Sequence, residues 1–406
     1  MAKTKPSKAD KQIKKQSKPT TNGHTTEMPE ELYASALTLV ETSQPQEALE
    51  QAKKLWLAVQ DQSTAAMLPS LNLLGEISVE LGEIDEARTY FEKAATLDPE
   101  GTVEGPLGGG AEKFLWLAQL NEEGGQQSVH WFEKGVQALQ REIAALESGQ
   151  DVGLSEEELL IFRVEKKRKL AKALCGIVEV YMTDLSWEDD AEARCESLVT
   201  QAMTVEDETS PEILQTLASV RLSQERKEDA QAALKRSMAV WEDLEPEDPE
   251  VPDFACRISL TRLLMEAELE SDAMDVLERL VQEDDQSVEA WYLGGWCQHL
   301  VAGKIHAEGT NGNTNGDVDA NGTSKGSSLL RGSRRWLSRS LELHDTLDYE
   351  DERLKQHAEE LVQELEATLG PQVEGDDGDE SGEEWSGIEN DSDAQDGADD
   401  VEMEDS

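Results

Sequence analysis

Long apolar runs are missing from this chain of 406 residues. None approaches the roughly 20 residues that a membrane span needs, so a membrane-embedded protein is not expected. Cysteine is scarce. Cys175, Cys195, Cys256 and Cys297 lie far apart and form no CxxC pair, so they read as small apolar residues in helices of a reducing compartment. Positive charge is scarce too: 37 Lys and Arg stand against 88 Asp and Glu, a formal net charge of -51. Such a chain repels nucleic acid and anionic membranes and attracts basic proteins or peptides. Period-two alternation is absent, which leaves no strand signal. The lysine-rich N-terminus is not followed by an apolar stretch, so no secretory signal is expected and the protein is read as cytoplasmic and nuclear.

Signatures of chemistry are absent as well. The histidines at 24, 130, 299, 306, 344 and 357 never fall at metal-ligand spacing with one another or with a cysteine pair. There is no GxSxG and no calcium loop with its Gly and terminal Glu. The stretch GPLGGGAEK (Gly105–Lys113) resembles a phosphate loop, but it lacks the Gly-Lys-Ser/Thr ending and a preceding strand. It reads as a break between helical units. No enzyme activity, cofactor or metal is expected.

What is present is helical periodicity from Pro29 to about Leu369. The window Met67–Glu100, MLPSLNLLGEISVELGEIDEARTYFEKAATLDPE, places Gly75 twelve residues before Ala87, followed by Phe91, Ala94 and Pro99. This resembles the tetratricopeptide repeat (TPR), a 34-residue helix-turn-helix. Gly75 and Ala87 would be small where two helix backbones touch, and Phe91 and Ala94 would pack into the next unit. Pro99, without an N–H, would stop the second helix. One unit cannot bury its apolar face, so neighbours are required. About seven units can be drawn, beginning near Pro29, Met67, Ala111, Lys169, Pro211, Phe254 and Ser287, with Tyr349–Leu369 as a capping helix. The fold expected is all-α, a TPR-like α-solenoid with a right-handed superhelix over residues 29–369. A flexible Gly/Asn-rich insertion is expected at about 303–328. A disordered basic arm (1–28) and a disordered acidic tail (370–406) would flank the domain.

The charge is unevenly spread. Residues 1–20 hold seven lysines and one acid, whereas residues 371–406 hold sixteen acids and no Lys or Arg. The cluster Lys166–Lys169 reads either as a solvated helix face or as a nuclear-import signal. Arg331, Arg334, Arg335 and Arg339 form a basic stripe suited to pairing with the chain's own acids. In the tail, Ser381 and Ser386 each have an acid three residues on, a setting in which phosphorylation would add charge. Trp385 is either an apolar anchor or incidental.

The TPR resemblance implies that the first helix of each repeat lines a concave groove. Carried onto this chain, the groove positions are Tyr33, Leu37 and Glu41; Asn72, Glu76 and Glu80; Glu122 and Glu123; Ala173, Ile177 and Tyr181; Ile258, Arg262, Met265 and Glu266; and Tyr292, Trp296 and His299. Carboxylates then dominate the N-terminal half and aromatic or apolar groups the C-terminal half. That suits an extended peptide carrying Lys or Arg plus apolar anchors. For a single glutamate, simple solvation is the competing account. Only Asn72 matches the basic clamp with which other TPR domains hold acidic chaperone C-termini.

The order of segments, with the stretches LNLLGEISVELGEIDEARTYFEKA and VEAWYLGGWCQHL, resembles the fungal dedicated assembly chaperones of large-subunit ribosomal protein four. The resemblance implies a basic ribosomal protein as client, its long internal loop held in the groove. It also implies protection from aggregation, passage to the nucleus, where an import receptor is a further partner, and release at the pre-ribosome. A monomer without direct nucleic-acid or membrane contact is expected. Two other readings are an acidic TPR histone chaperone and a general TPR scaffold or co-chaperone. The nearly neutral insertion argues against the first.

Overall fold

The computed structural model describes residues 28–103, 110–148, 155–206, 210–311 and 320–370. Every regular element among these described residues is a helix. They are α1 (Pro29–Glu41), α2 (Pro45–Val59), α3 (Thr64–Glu80), α4 (Ile84–Leu97), α5 (Glu112–Gln119), α6 (Gly125–Glu147), α7 (Glu156–Met182), α8 (Ala191–Val205), α9 (Pro211–Ser223), α10 (Lys227–Met238), α11 (Phe254–Glu266), α12 (Glu270–Glu283), α13 (Val288–Asn311), α14 (Ala320–Leu347) and α15 (Glu352–Leu369). Contacts divide them into two compact units that meet in the chain between Arg163 and Val164, inside α7. Apart from Met28 and Gly370, the expected basic arm and acidic tail lie outside the described residues.

A small residue twelve positions before another marks the core of the regular repeats. Ala36 and Ala48, Ala218 and Ala230, and Thr261 and Ala273 are all fully buried, as is Ala87. The turn between the two helices is built the same way each time. Ser43, Gly82, Glu225 and Glu268 adopt the left-handed conformation, with φ of 56°, 72°, 59° and 60°. The next amide then bonds back to a carbonyl five residues earlier: Gln44 to Leu39, Glu83 to Ser78, Arg226 to Arg221 and Leu269 to Leu264. This closure satisfies carbonyls that the helix end leaves open, and it sets the angle at which the second helix returns. Only Gly82 adopts it without a Cβ penalty.

In the first unit, α1 packs on α2, α3 on α4, and α5 on α6. Gly75 differs from its expected role. A Cβ there would collide with the ring of Phe91 in the same repeat. Gly75 thus makes room for an aromatic side chain, and Phe91 also stacks on Trp116 of the next repeat at 5.9 Å. The expected break GPLGGGAEK is anchored at its end by Lys113, which is fully buried and paired with Asp98 at 3.2 Å. Its ammonium also donates to the Gly110 carbonyl at 2.8 Å, so no cation faces a phosphate there.

In the second unit, α9 packs on α10, α11 on α12, α13 on α14 and α14 on α15. The first helices also touch in succession, α9 with α11 and α11 with α13. One sequence boundary needs correction. The fourth repeat was expected to open near Lys169, yet α7 begins at Glu156. The Ser155 and Glu158 side chains there cap each other's backbone amides, at 2.8 Å and 3.3 Å, a capping box legible in S-E-E-E. Lys166–Lys169 consequently lies within a helix, with Lys166 buried. At the insertion expected at 303–328, helix occupies residues 303–311 and 320–328, and residues 312–319 lie outside the described residues. Gly294 and Gly295 of α13 lie directly against Trp336 and Leu337 of α14. No helix among the described residues is long and apolar enough to cross a membrane.

Candidate functional site

Five of the sequence-derived positions border one cavity in the second unit. Asp253 caps α11 by accepting the Cys256 amide at 2.7 Å. This starts the helix in a register that buries Ile258, Thr261 and Leu264 and leaves Arg262 and Glu266 exposed. Met265 lies one turn beyond Arg262. On α13, Tyr292 and Trp296 are one turn apart and only half-buried, although they flank the buried Leu293. These five residues, Arg262, Met265, Glu266, Tyr292 and Trp296, border a single cavity of about 580 Å³. Leu293, Leu300 and the start of α15 (Asp351, Arg353 and Leu354) complete its wall.

The floor of this cavity is aromatic and its rim is charged. Tyr292 and Trp296 have ring centroids 5.9 Å apart. His357 of α15 meets both edge-on, at 5.8 Å and 5.4 Å. The Tyr292 hydroxyl and His357 Nδ1 form a 2.7 Å hydrogen bond, which fixes the phenol against the capping helix. Burial raises the Tyr292 pKa, Asp351 adds to that, and Arg262 partly offsets it. The phenol therefore keeps its proton. At the rim, Arg262 pairs with Glu289. Asp351 is held by the Arg353 and Leu354 amides, each at 3.0 Å. An apolar or aromatic side chain fits such a floor, and a polar backbone or a Lys or Arg fits the Glu266 and Asp351 rim.

Other expected positions are placed differently. Ala173, Ile177, Tyr181 and Ile258 are core residues, none more than 4% exposed. On α7 the helix also starts thirteen residues before the expected boundary. Tyr181 instead packs under the guanidinium of Arg194. Glu122 and Glu123 are not on a first helix; α5 is short, so both fall in the turn before α6. There Glu122 pairs with Arg88 at 2.9 Å and Glu123 accepts from Gln127 at 2.5 Å. His299 is half-buried, and its Nδ1 is buried without a hydrogen-bond partner among the described residues. In the first unit, Tyr33, Leu37 and Glu41 follow one another at single-turn spacing on α1, with Tyr33 and Leu37 packed on the core. On α3, Asn72 is buried, Glu76 half-buried and Glu80 exposed.

Two features escaped the sequence reading. The contribution of α15 was one, because nothing in a single sequence says that Asp351, Arg353, Leu354 and His357 return to α13. The other is a row of acids on α12, Asp272, Asp275 and Glu278, which recur every three residues. Burial raises all three carboxyl pKa values; Asp272 and Glu242 raise Asp275 further, and Asp275 raises Glu278. Among the described residues no group of three or more His, Cys, Asp or Glu is arranged to hold a metal.

Helix pairs with the small-residue interval, the recurring left-handed turn and stacked first helices define a TPR protein of the all-α solenoid class. The tetratricopeptide repeat family matches residues 68–100. The whole chain belongs to a more particular family, that of the assembly chaperones of rpl4. A protein of Emericella nidulans named "Probable assembly chaperone of rpl4" is 48% identical over 375 residues, 90% of each chain. Its namesake in Schizosaccharomyces pombe is 33% identical over 324 residues, 79% of this chain and 86% of its own. A solved structure titled "Assembly Chaperone of RpL4 (Acl4) (Residues 1-338)" superposes with a TM-score of 0.62 at 47% identity, covering 69% of this chain and 99% of that one.

Proposed function

We propose that this chain is a dedicated assembly chaperone of ribosomal protein rpl4. It binds the newly made basic protein through its long internal loop, keeps it soluble, accompanies it from cytoplasm to nucleus and releases it at the pre-ribosome. The observation that carries this reading is 48% identity, across 90% of both chains, to a protein of that name. The α11–α13–α15 cavity supports it. Its aromatic floor would hold an apolar anchor of the loop while Glu266 and Asp351 take a neighbouring cation. The net charge of -51 supports a cationic client over nucleic acid. Glu41, Glu76 and Glu80 in the first unit would contact further cations of the loop. Release follows when ribosomal RNA competes for the same Lys and Arg side chains. The chain acts as a monomer, without catalysis, cofactor or direct nucleic-acid contact, and an import receptor joins the complex on the way to the nucleus.

The test is recovery of full-length chain from its own cells, followed by mass spectrometry and by reconstitution with purified rpl4. A one-to-one complex by light scattering, with rpl4 kept in the supernatant at physiological salt, is expected. Recovery of core histones in place of rpl4 would reject the reading.

A further inference from the structure

The basic stripe on α14 is not used by the client cavity. In a chain with so large an acid excess, exposed guanidiniums without a carboxylate partner stand out. Arg339 pairs with Glu342 at 2.7 Å. Arg331 and Arg335 are exposed and carry no ion pair among the described residues. They lie four apart, one turn from each other on the same face.

The last described residue, Gly370, arrives beside this stripe. α14 and α15 run antiparallel: Leu343 packs with Leu354 at one end, and Leu337 packs with Ala358, Leu361 and Leu365 further along. Lys355 pairs with Asp345 at 2.6 Å, which fixes the register. The end of α15 is thereby brought beside the middle of α14. There Arg334, buried between the two helices, donates to the carbonyl of Gly370 at 3.1 Å. Gly370 has φ 84° and terminates α15. The residues that follow, PQVEGDDGDE, put Glu374, Asp376, Asp377, Asp379 and Glu380 within ten positions of that anchor. Arg331 is one turn from Arg334, about 5 Å along the helix axis. Four residues of extended chain reach about 14 Å, so Glu374 can meet Arg331 without strain.

We propose that the first acidic run of the tail, residues 374–380, docks on the Arg331/Arg335 face of α14. The contact is intramolecular, so its effective concentration is high and modest pairing suffices. Docking covers a cationic face that would otherwise collect RNA phosphates. The tail then serves as an internal competitor, which keeps nucleic acid off this end of the protein while the client cavity stays open.

The experiment uses the full chain, observing the tail amides by NMR. At low salt the signals of residues 374–380 should be shifted from their free values and broadened. Raising NaCl to about 1 M, where the screening length falls to about 3 Å, should return them to free values. The double substitution Arg331→Glu with Arg335→Glu should do the same at low salt; both sites are exposed, so the fold is preserved. Reversing the tail as well, with Glu374→Lys, Asp376→Lys and Asp377→Lys, should restore the shifts. The wild-type chain should bind a single-stranded RNA 20-mer weakly, and Glu374→Gln with Asp376→Asn and Asp377→Asn should bind it more tightly. Tail signals identical in the wild-type and Arg-reversed chains would overturn the proposal. So would RNA binding that is lost on Arg reversal and unchanged by tail neutralisation, since the stripe would then be a nucleic-acid site.

Discussion

Replacing Asp98 by Asn should destabilise the first unit by about 3–5 kcal/mol, the loss seen when one member of a buried ion pair is removed. The reasoning starts from burial. Lys113 is 0% and Asp98 2% exposed, with 3.2 Å between ammonium and carboxylate. Asp98 also accepts the amides of Thr102 and Val103 at 3.0 Å and 3.3 Å. Burial by itself would raise its pKa, but those amides and the charge of Lys113 outweigh it, and the carboxyl titrates below its ordinary value. The pair fixes the two ends of the loop after α4. There Gly101 and Gly110 approach so closely that a Cβ on Gly101 would lie 2.7 Å from the Gly110 carbonyl oxygen. Asp98→Asn removes the negative charge facing Lys113 and one of the two acceptor oxygens, which leaves the buried ammonium without a counter-ion. Lys113→Met leaves the carboxylate two amide donors, so it should cost less, about 1–3 kcal/mol. Because a solenoid is stabilised mainly by neighbouring repeats, the loss should concentrate in α3 to α6. Hydrogen exchange of those amides, alongside urea unfolding, measures it. The sign of the pH dependence follows from the lowered pKa. The stabilising contribution is complete above the unfolded value of about 4 and fades as pH falls through the folded value. Equal protection in Asp98→Asn and wild type, or a larger loss for Lys113→Met, would refute the argument.

Trp296→Ala should weaken binding of rpl4 by about 2 kcal/mol or more, roughly 30-fold in Kd, as expected for a central aromatic anchor; titration calorimetry reads it. Tyr292→Phe removes only the hydrogen bond to His357 and should cost about 0.5–1.5 kcal/mol of second-unit stability in urea. Gly294→Ala puts a methyl into the Trp336 ring, and overpacking of this kind costs about 1–3 kcal/mol in the same assay. Glu122→Ala should change stability by less than about 1 kcal/mol, because Glu122 is 75% exposed in its pair with Arg88. It should leave client affinity unaltered, since the residue sits in a turn. A large affinity loss would return Glu122 to the binding surface.

The regular repeats were legible because their signal is local. Gly75 and Ala87, Ala218 and Ala230, and Thr261 and Ala273 repeat an interval that the helix period and the turn length impose. Where a helix is the wrong length, the same counting failed. The eight residues of α5 pushed Glu122 and Glu123 into a turn, and Ile177, Tyr181 and Ile258 proved to belong to the core, where helix packing and not spacing decides the buried face. Groove positions are carried over by aligning each unit on the regular one, so a one-residue error in a degenerate unit turns the chosen face by about 100°.

By itself the sequence determined that the regular structure is helical, that the helices pair and that acid predominates; the groove positions Arg262, Met265, Glu266, Tyr292 and Trp296 were implied only by the likeness to TPR proteins. The first three properties follow from periodicity, small-residue spacing and composition, none of which needs a distant partner. The tertiary structure alone decided that Lys113 is buried against Asp98, that Asp351, Arg353 and Leu354 close the cavity while His357 holds Tyr292, and that Gly370 ends beside Arg334. Each of these joins residues fifteen to 65 positions apart. Such contacts depend on how whole helices pack, and no local pattern records which pair will meet.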